Sequence, residues 1–275
     1  MEEYEKIERT IITKYRKQIW AKYVKAINEY NMIQDGDKIG ICISGGKDSM
    51  LLAKCFQELK KHGKNNFDIE FIVMNPGYNE TNKNKIIQNA KILNIPITMF
   101  ETDIFSRVEK MNDHECYLCA RMRRGYLYKK AQELGCNKIA LGHHFDDVIE
   151  TVLMGMLFSG KMQTMMPKLK STSHPGMELI RPLYLVREED IISWANYNNL
   201  EFIKCACKIT ERQEKRKLEN GKTSKRAETK ELIKMLKEKY KNSDINIFNS
   251  TQNVNLETIL SYKKYGKIIN FLDEY

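Results

Sequence analysis

The chain has 275 residues, 42% of them apolar and 30% charged, enough for one α/β domain of ordinary size and a smaller appendage. Lysine and arginine exceed aspartate and glutamate by ten (46 − 36), which points to a polyanionic partner, nucleic acid before membrane. No stretch approaches the ~20 apolar residues of a membrane span, and the acidic start Met1-Glu2-Glu3-Tyr4-Glu5 lacks the apolar core of a signal peptide, so a cytoplasmic protein with reduced cysteines and no membrane partner is expected.

Ile7, Ile11, Tyr15, Ile19, Tyr23 and Ile27 recur every four residues and predict one helix over 4–30. A turn over 31–37 leads to a buried strand at 38–44 and a helix at 48–62. A strand at 69–75 ends in the Pro76-Gly77 turn, and a helix at 83–93 and a strand at 97–101 follow. A long helix is expected over 116–134, a strand over 138–141, a helix over 146–158 and an irregular loop over 159–176. The remainder reads as an extended pair at 179–180, a helix at 188–198 and a final strand at 201–203. Alternating strands and helices imply a parallel sheet covered on both faces, a Rossmann-like α/β fold, with ligands at the carboxyl ends of its strands. The domain reading is an N-terminal helical segment (1–36), a nucleotide-binding domain (37–207) and a basic helical C-terminal extension (208–275). In the extension Leu256, Ile259, Leu260, Tyr262 and Ile268 are available for packing.

The strand Ile39-Gly40-Ile41-Cys42-Ile43 runs into Ser44-Gly45-Gly46-Lys47-Asp48-Ser49. A strand ending in two glycines before a helix exposes backbone N–H groups at the helix start, where they and the helix dipole suit a phosphate. The glycines allow close approach, Lys47 adds a point charge, and Ser44 and Ser49 add hydroxyls. The plain alternative is a glycine turn between strand and helix. A second polar segment, Gly142-His143-His144-Phe145-Asp146-Asp147, follows the fourth strand. Asp48 and Asp147 are reasonable ligands for a Mg²⁺ that bridges phosphate oxygens, while the two histidines serve packing as readily as catalysis.

Cys116 and Cys119 stand three residues apart on a predicted helix, one turn from each other, with Arg121, Arg123 and Arg124 nearby to favour thiolates. Cys205 and Cys207 come later as a Cys-x-Cys pair. Four readings stand open: zinc, a redox dithiol, inert core cysteines, or a three-cysteine [4Fe–4S] cluster whose fourth iron lacks a protein ligand. Cys42, Cys55 and Cys136 read as small core residues. Residues 204–240 carry thirteen lysines and arginines against six glutamates. Lys208, Arg212, Lys215, Arg216, Lys217, Lys222, Lys225 and Arg226 are therefore backbone-binding candidates for RNA, or else a solvated charged helix.

Ser-Gly-Gly-Lys-Asp-Ser matches at all six positions the Ser-Gly-Gly-x-Asp-Ser signature of the PP-loop N-type ATP pyrophosphatases. Together with Asn31-Met32-Ile33, the Cys-x-x-Cys pair and its Arg-Met-Arg-Arg-Gly sequel, the chain from about Tyr30 to Cys207 resembles the tRNA 2-thiocytidine synthetase family (TtcA). Gly142-His143-His144-x-Asp146-Asp147, Gly160-Lys161-Met162, Pro167-Lys168 and Ile180-Arg181-Pro182-Leu183 extend that resemblance. It implies an ATP-dependent tRNA sulfurtransferase that adenylates the C2 oxygen of cytidine 32, releasing pyrophosphate, and then replaces it with sulfur. It implies ATP on Ser44–Ser49 with Gly142 and Asp147, and Mg²⁺ on Asp48 and Asp147. It also implies a [4Fe–4S] cluster on Cys116, Cys119 and Cys207, with Cys205 as the runner-up. Lys47, Asp48 and Arg123 are then expected to act in catalysis, and Arg121 and Arg124 to hold tRNA phosphate. A sulfur donor (sulfide or a desulfurase persulfide) and a homodimer follow from the same resemblance. The Lys208-Ile209-Thr210 sequel departs from the Gly- or Pro-containing stretch that follows the third cysteine in many members of that family. A thiolase for another base such as uridine, a lysidine-synthetase-like enzyme, and a non-catalytic metal-stabilised RNA-binding protein remain as alternatives.

Overall fold

The computed structural model describes residues 1–63, 65–108, 115–203 and 224–273, with the backbone alone at 108 and 115–117. Six strands form one sheet in the order β3-β2-β1-β4-β6-β5. They are β1 (Lys38–Ile43), β2 (Asp68–Asn75), β3 (Ile97–Glu101), β4 (Lys138–Ala140), β5 (Lys168–Lys170) and β6 (Glu178–Ile180). All neighbours pair in parallel except β5, which runs antiparallel to β6 at the edge. The helices before this edge are α1 (Glu3–Ile12), α2 (Ala21–Glu29), α3 (Lys47–His62), α4 (Glu80–Ile92), α5 (Ile104–Val108), α6 (Glu115–Glu133) and α7 (Phe145–Ser159). After it come α8 (Glu188–Tyr197), α9 (Lys225–Lys239) and α10 (Ser243–Ser250).

Successive side chains of β1 face opposite sides of the sheet. Cys42 packs with Ile72, Tyr128, Ala131, Cys136 and Ile139 beneath α6. Gly40 lets α6 come close, since a Cβ there would stand 2.8 Å from Ile72 Cδ1 and 3.4 Å from Ala131 Cβ. Ile39, Ile41 and Ile43 fill the other side, where α3 packs on the sheet and α1 and α8 pack on α3. Burial pushes the thiols of Cys42 and Cys136 up to about 12 and about 11, and raises that of Cys55 still further, as expected of inert core cysteines.

The single N-terminal helix expected over 4–30 is instead α1, a turn at Thr13–Tyr15, a π turn at Arg16–Trp20, and α2. The reason lies in the repeat itself. Four residues overshoot one α-helical turn by about 40°, so a strict four-residue pattern drifts off one face. The wider π turn takes up that drift, and all six repeat residues are buried. Each of the four isoleucines contributes about 1.5–3 kcal/mol by leaving water.

Polar contacts inside this layer are concentrated at the amino ends of the strands. Lys138 Nζ is buried between Asp37 Oδ2 (2.6 Å), the Met32 carbonyl (3.0 Å) and Glu178 Oε2 (3.4 Å). Asn137 accepts from Lys38 N–H and donates to Asp37 Oδ1. Burial opposes the Asp37 charge, but hydrogen bonds from Lys138, Gln34 and Asn137 outweigh it and hold the carboxyl below its ordinary range. On α3, Lys54 donates to Glu8 of α1, to Gln57 and to the Leu93 carbonyl, and Glu8 also takes Lys61.

Three other expectations change. The loop over 159–176 contains β5, a three-residue edge strand whose Lys168-Leu169-Lys170 carries too little apolar pattern to be read. Residues 201–203 form no strand. The helix expected toward the C-terminus is a hairpin of β7 (Ser261–Lys264) and β8 (Lys267–Asn270), turning at Tyr265 and Gly266 with positive φ. Its Leu260 and Ile268 are exposed, as is Leu256.

The chain divides into two compact units, Met1–Val148 with Met166–Ser224, and Ile149–Met165 with Lys225–Tyr275. The second is built on the later turns of α7: Arg226 Nε pairs with buried Glu150 at 2.7 Å, and Lys225 Nζ lies 4.9 Å from the Phe158 ring centre. No helix among the described residues is long and apolar enough to cross a membrane.

Candidate active site

β1 and β4 are neighbours, so the segments leaving their carboxyl ends meet although about a hundred residues separate them. After β1 the chain turns at Gly45, whose φ is +85°. A Cβ there would stand 2.5 Å from Ile86 Cγ1 and 2.7 Å from Ile203 Cδ1, so Gly45 is required by conformation and by the protein's own packing. Gly46 caps α3 with no side-chain cap, and a Cβ there would meet nothing closer than Ser44 Oγ at 3.6 Å. Ser49 staples the loop: its hydroxyl accepts the Ser44 N–H at 3.1 Å and donates to the Gly46 carbonyl at 2.9 Å. Among the described residues no acceptor takes the N–H groups of Lys47, Asp48 or Ser49 at the start of α3.

The segment after β4 closes on this helix start. A Cβ on Gly142 would lie 3.0 Å from Ser49 N and 3.1 Å from the Asp48 carbonyl carbon, so the glycine lets the two backbones touch. Asp147 Oδ2 accepts the His144 N–H at 3.0 Å. His144 is buried, with Nε2 3.6 Å from Asp147 Oδ2 and 3.9 Å from Asp48 Oδ1, and its Nδ1, 3.7 Å from Asp146 Oδ2, has no hydrogen-bond partner among the described residues. The buried Oδ1 of Asp48 likewise lacks a hydrogen-bond donor, although the Lys47 ammonium is 3.1 Å away. Burial holds the Asp48 carboxyl above its ordinary range in spite of Lys47 and His144. Burial also works against the Lys47 charge, but Asp48 and Glu188 outweigh it and raise the ammonium's pKa.

Three residues of this region were not assigned roles from the sequence. Glu188, at the start of α8, places Oε1 3.0 Å from Lys47 Nζ. Asp146 Oδ2 accepts the Glu188 N–H at 2.7 Å. Arg181 is buried past the end of β6, with Nε donating to His143 Nδ1 at 3.3 Å and Nη1 to the Met166 carbonyl. Burial, with Arg124 nearby, brings the Arg181 guanidinium down to about 10. Asp146 and Arg181 lie in segments the sequence singles out; Glu188 carries no local signal, being one acid among three at a helix start.

Cys119 is buried with Met74, Ile104 and Phe105, at the carboxyl-end side of β2, and Tyr78, Phe100 and Met122 line the same cluster. Arg123 Nη2 donates to the Tyr78 hydroxyl at 3.3 Å, while Arg121 and Arg124 are exposed. Cys116 lies on the α6 backbone one turn before Cys119. Cys205, Cys207, Lys208, Arg212, Lys215, Arg216, Lys217 and Lys222 lie outside the described residues. Ile203, the last residue described before them, packs on Gly45. Lys225 and Arg226 are in the second unit, engaged with Phe158 and Glu150 as above.

Residues 15–217 match the PP-loop domain family. The chain is 34% identical to a tRNA-cytidine(32) 2-sulfurtransferase of Paraburkholderia xenovorans over 88% of its length and 69% of the relative's. It is 37% identical to one of Shewanella baltica, covering 92% and 79% of the two chains. Among solved structures, the U34-tRNA thiolase NcsA from Methanococcus maripaludis with its [4Fe-4S] cluster superposes with a TM-score of 0.66 at 21% identity, over 87% of this chain and 82% of that one, a likeness of fold. A glycine turn serving only to join strand to helix would not bring a lysine, four carboxylates and helix amides that no described residue accepts to the switch point of the sheet, and the family match and the identity to these relatives extend over most of the chain: the chain belongs to the PP-loop family, in the group of the tRNA-cytidine(32) 2-sulfurtransferases.

Proposed function

We propose that this protein is an ATP-dependent tRNA thiolase that adenylates the C2 oxygen of cytidine 32 and replaces it with sulfur, forming 2-thiocytidine, AMP and pyrophosphate. The observation that carries the reading is the amide cradle at Lys47–Ser49, whose N–H groups no described residue accepts, set beside the Lys47 ammonium and Asp147, in a chain kin to enzymes of that name.

ATP lies with its phosphates on the cradle, where Gly46 offers no side chain to obstruct them and the dipole of α3 favours negative charge. Lys47 neutralises charge that develops on the phosphates as the C2 oxygen attacks the α-phosphate and pyrophosphate leaves. The buried Asp48 Oδ1, faced by the Lys47 ammonium at 3.1 Å but given no hydrogen bond among the described residues, fits a hard cation, so Asp48 and Asp147 would hold the Mg²⁺ that escorts the triphosphate. AMP then departs with the C2 oxygen as a sulfur nucleophile takes its place. Arg123, which donates to the Tyr78 hydroxyl, is read as the group that meets the adenylated intermediate, and Arg121 and Arg124 as holding tRNA phosphate.

The soft thiol of Cys119, buried in an apolar surround, fits an iron–sulfur ligand; Cys116 and Cys207, with Cys205 as the alternate, would complete the set. When bound, a [4Fe–4S] cluster on three thiolates supplies an iron open to exogenous sulfide. Lys208, Arg212, Lys215, Arg216, Lys217, Lys222, Lys225 and Arg226 are read as an arm for the tRNA backbone, the sulfur donor as sulfide or a persulfide, and the cell compartment as the cytoplasm.

Two measurements test this. Pyrophosphate release should require tRNA, and mass spectrometry of nucleosides from treated tRNA should find 2-thiocytidine. Appearance of 2-thiouridine instead would reassign the base, and pyrophosphate release indifferent to tRNA would remove tRNA from the reaction.

A further inference from the structure

Lys47 is the cation of the phosphate loop, yet its long flexible stem does not by itself fix where the ammonium sits. Asp48 reaches it at 3.1 Å, but as the next residue of the same helix start it moves with Lys47 and offers no anchor from outside the loop. The geometry points to Glu188 as the positioning residue for Lys47: its carboxylate, brought from α8 to 3.0 Å, holds the ammonium beside the loop, and Asp146 holds Glu188.

The support for Glu188 comes from the start of α7. Arg187, the N-cap of α8, contributes no side-chain cap, and Asp146 Oδ2 takes the Glu188 N–H instead at 2.7 Å. The Phe145 N–H donates to the Val186 carbonyl at 2.9 Å, and the Arg187 guanidinium lies 4.0 Å from the Phe145 ring centre. These contacts fasten the beginnings of α7 and α8 together, so Glu188 enters the site on a fixed backbone. The two aspartates after Phe145 thereby divide their work: Asp147 faces His144 and the loop, and Asp146 faces α8.

The arrangement has a consequence for binding. Lys47 is one ammonium between two carboxylates, at 3.0 and 3.1 Å, and a triphosphate must draw it off Glu188. Glu188 therefore weakens ground-state nucleotide binding while setting the lysine in the place from which it serves the reaction. This rests on the reading of Ser44–Ser49 as the ATP site.

The test is a double-mutant cycle in the full chain. Glu188→Gln keeps the shape and removes the charge. It should lower KM for ATP about threefold and kcat about tenfold, a split that loss of folded protein does not produce. Its affinity for an ATP analogue uncleavable between the α and β phosphates should rise about threefold, and that gain should vanish in a Lys47→Ala background. Glu188→Asp should recover the wild-type KM, and Asp146→Ala should reproduce the split while Asp146→Asn, which keeps an acceptor, should not. Unchanged kcat and KM in Glu188→Gln, or the same affinity gain with Lys47 absent, overturns the inference and leaves the ATP site standing. Should Lys47→Ala leave analogue binding and pyrophosphate release at wild-type levels, the ATP-site reading itself is what fails. If Glu188→Gln does not fold, the Asp146→Ala and Asp146→Asn pair carries the same decision.

Discussion

The two glycines of the phosphate loop look alike in sequence and differ in what they do. Gly45 combines a positive φ with contacts of 2.5 and 2.7 Å awaiting any Cβ, whereas Gly46 is extended and a Cβ there would make only ordinary contacts, at 3.6 Å and beyond. Gly45→Ala should therefore destabilise the fold by about 2–4 kcal/mol, seen as a lower denaturant midpoint. Gly46→Ala should leave that midpoint within about 0.5 kcal/mol of wild type and still abolish tRNA-dependent pyrophosphate release. Equal losses of stability in the two variants would mean that Gly46 serves the fold and not a ligand. The six-residue signature was legible because each residue type carries its own chemistry. Glu188 was not, because its partner lies 141 residues away and nothing local marks which acid of α8 turns inward.

Between elements, the contact of α1 with α3 rests on an acidic pair and two lysines. Burial, then the hydrogen bond to Glu8, push the Glu58 carboxyl up to about 7, while hydrogen bonds from Glu58, Lys54 and Lys61 outweigh burial and hold Glu8 low. Glu58 thus keeps a proton that the unfolded chain releases near its ordinary value of 4.5. Its contribution is present at low pH and is lost as pH rises toward and through about 7. Glu58→Gln, which copies the protonated acid and can still donate to Glu8, should flatten that decline and be about 2 kcal/mol more stable than wild type at pH 8. Parallel melting-temperature curves from pH 5 to 8 would refute it. The same element pair shows where pattern reading stops. The apolar face of 7–27 was visible, and its four-residue spacing is too long for an α-helix, but that spacing does not say where along the helix the π turn that absorbs the drift will fall. In β5 the missing signal was length, and at 261–270 the few apolar residues Tyr262, Ile268 and Ile269 gave as good a helix pattern as a hairpin one.

At the scale of the whole molecule, a surplus of ten positive charges should make tRNA binding steeply salt-dependent. Reversing exposed Arg121 and Arg124 to glutamate should reduce the slope of log affinity against log salt by about 1–2, and reversals at Arg212 and Arg216 should reduce it further. An unaltered slope takes those residues out of the interface. The second compact unit makes a separate demand. Glu150 is buried against Arg226, and Val152 shares a cleft with Ser250, Thr251 and Val254. A chain ended at residue 224 would strip both from α7, and it should elute from gel filtration as aggregate where the full chain is soluble.

Asp37 lies just before β1, at the other end of that strand from the proposed nucleotide site, yet the site depends on it. With Asn137 and Lys138 it pins the first residues of β1 and β4 side by side, and β4 is only three residues long. Gly142 reaches the head of α3 only if that alignment holds, because one step of slippage would carry it about 3.3 Å along the sheet and turn the intervening side chains over. The polar knot at the floor of the sheet is in effect the datum from which the distance between adenylation loop and acidic segment is measured. Drift in this lineage away from that aspartate would blunt the enzyme from the far side of the molecule, with every residue of the cradle still in its place in the sequence.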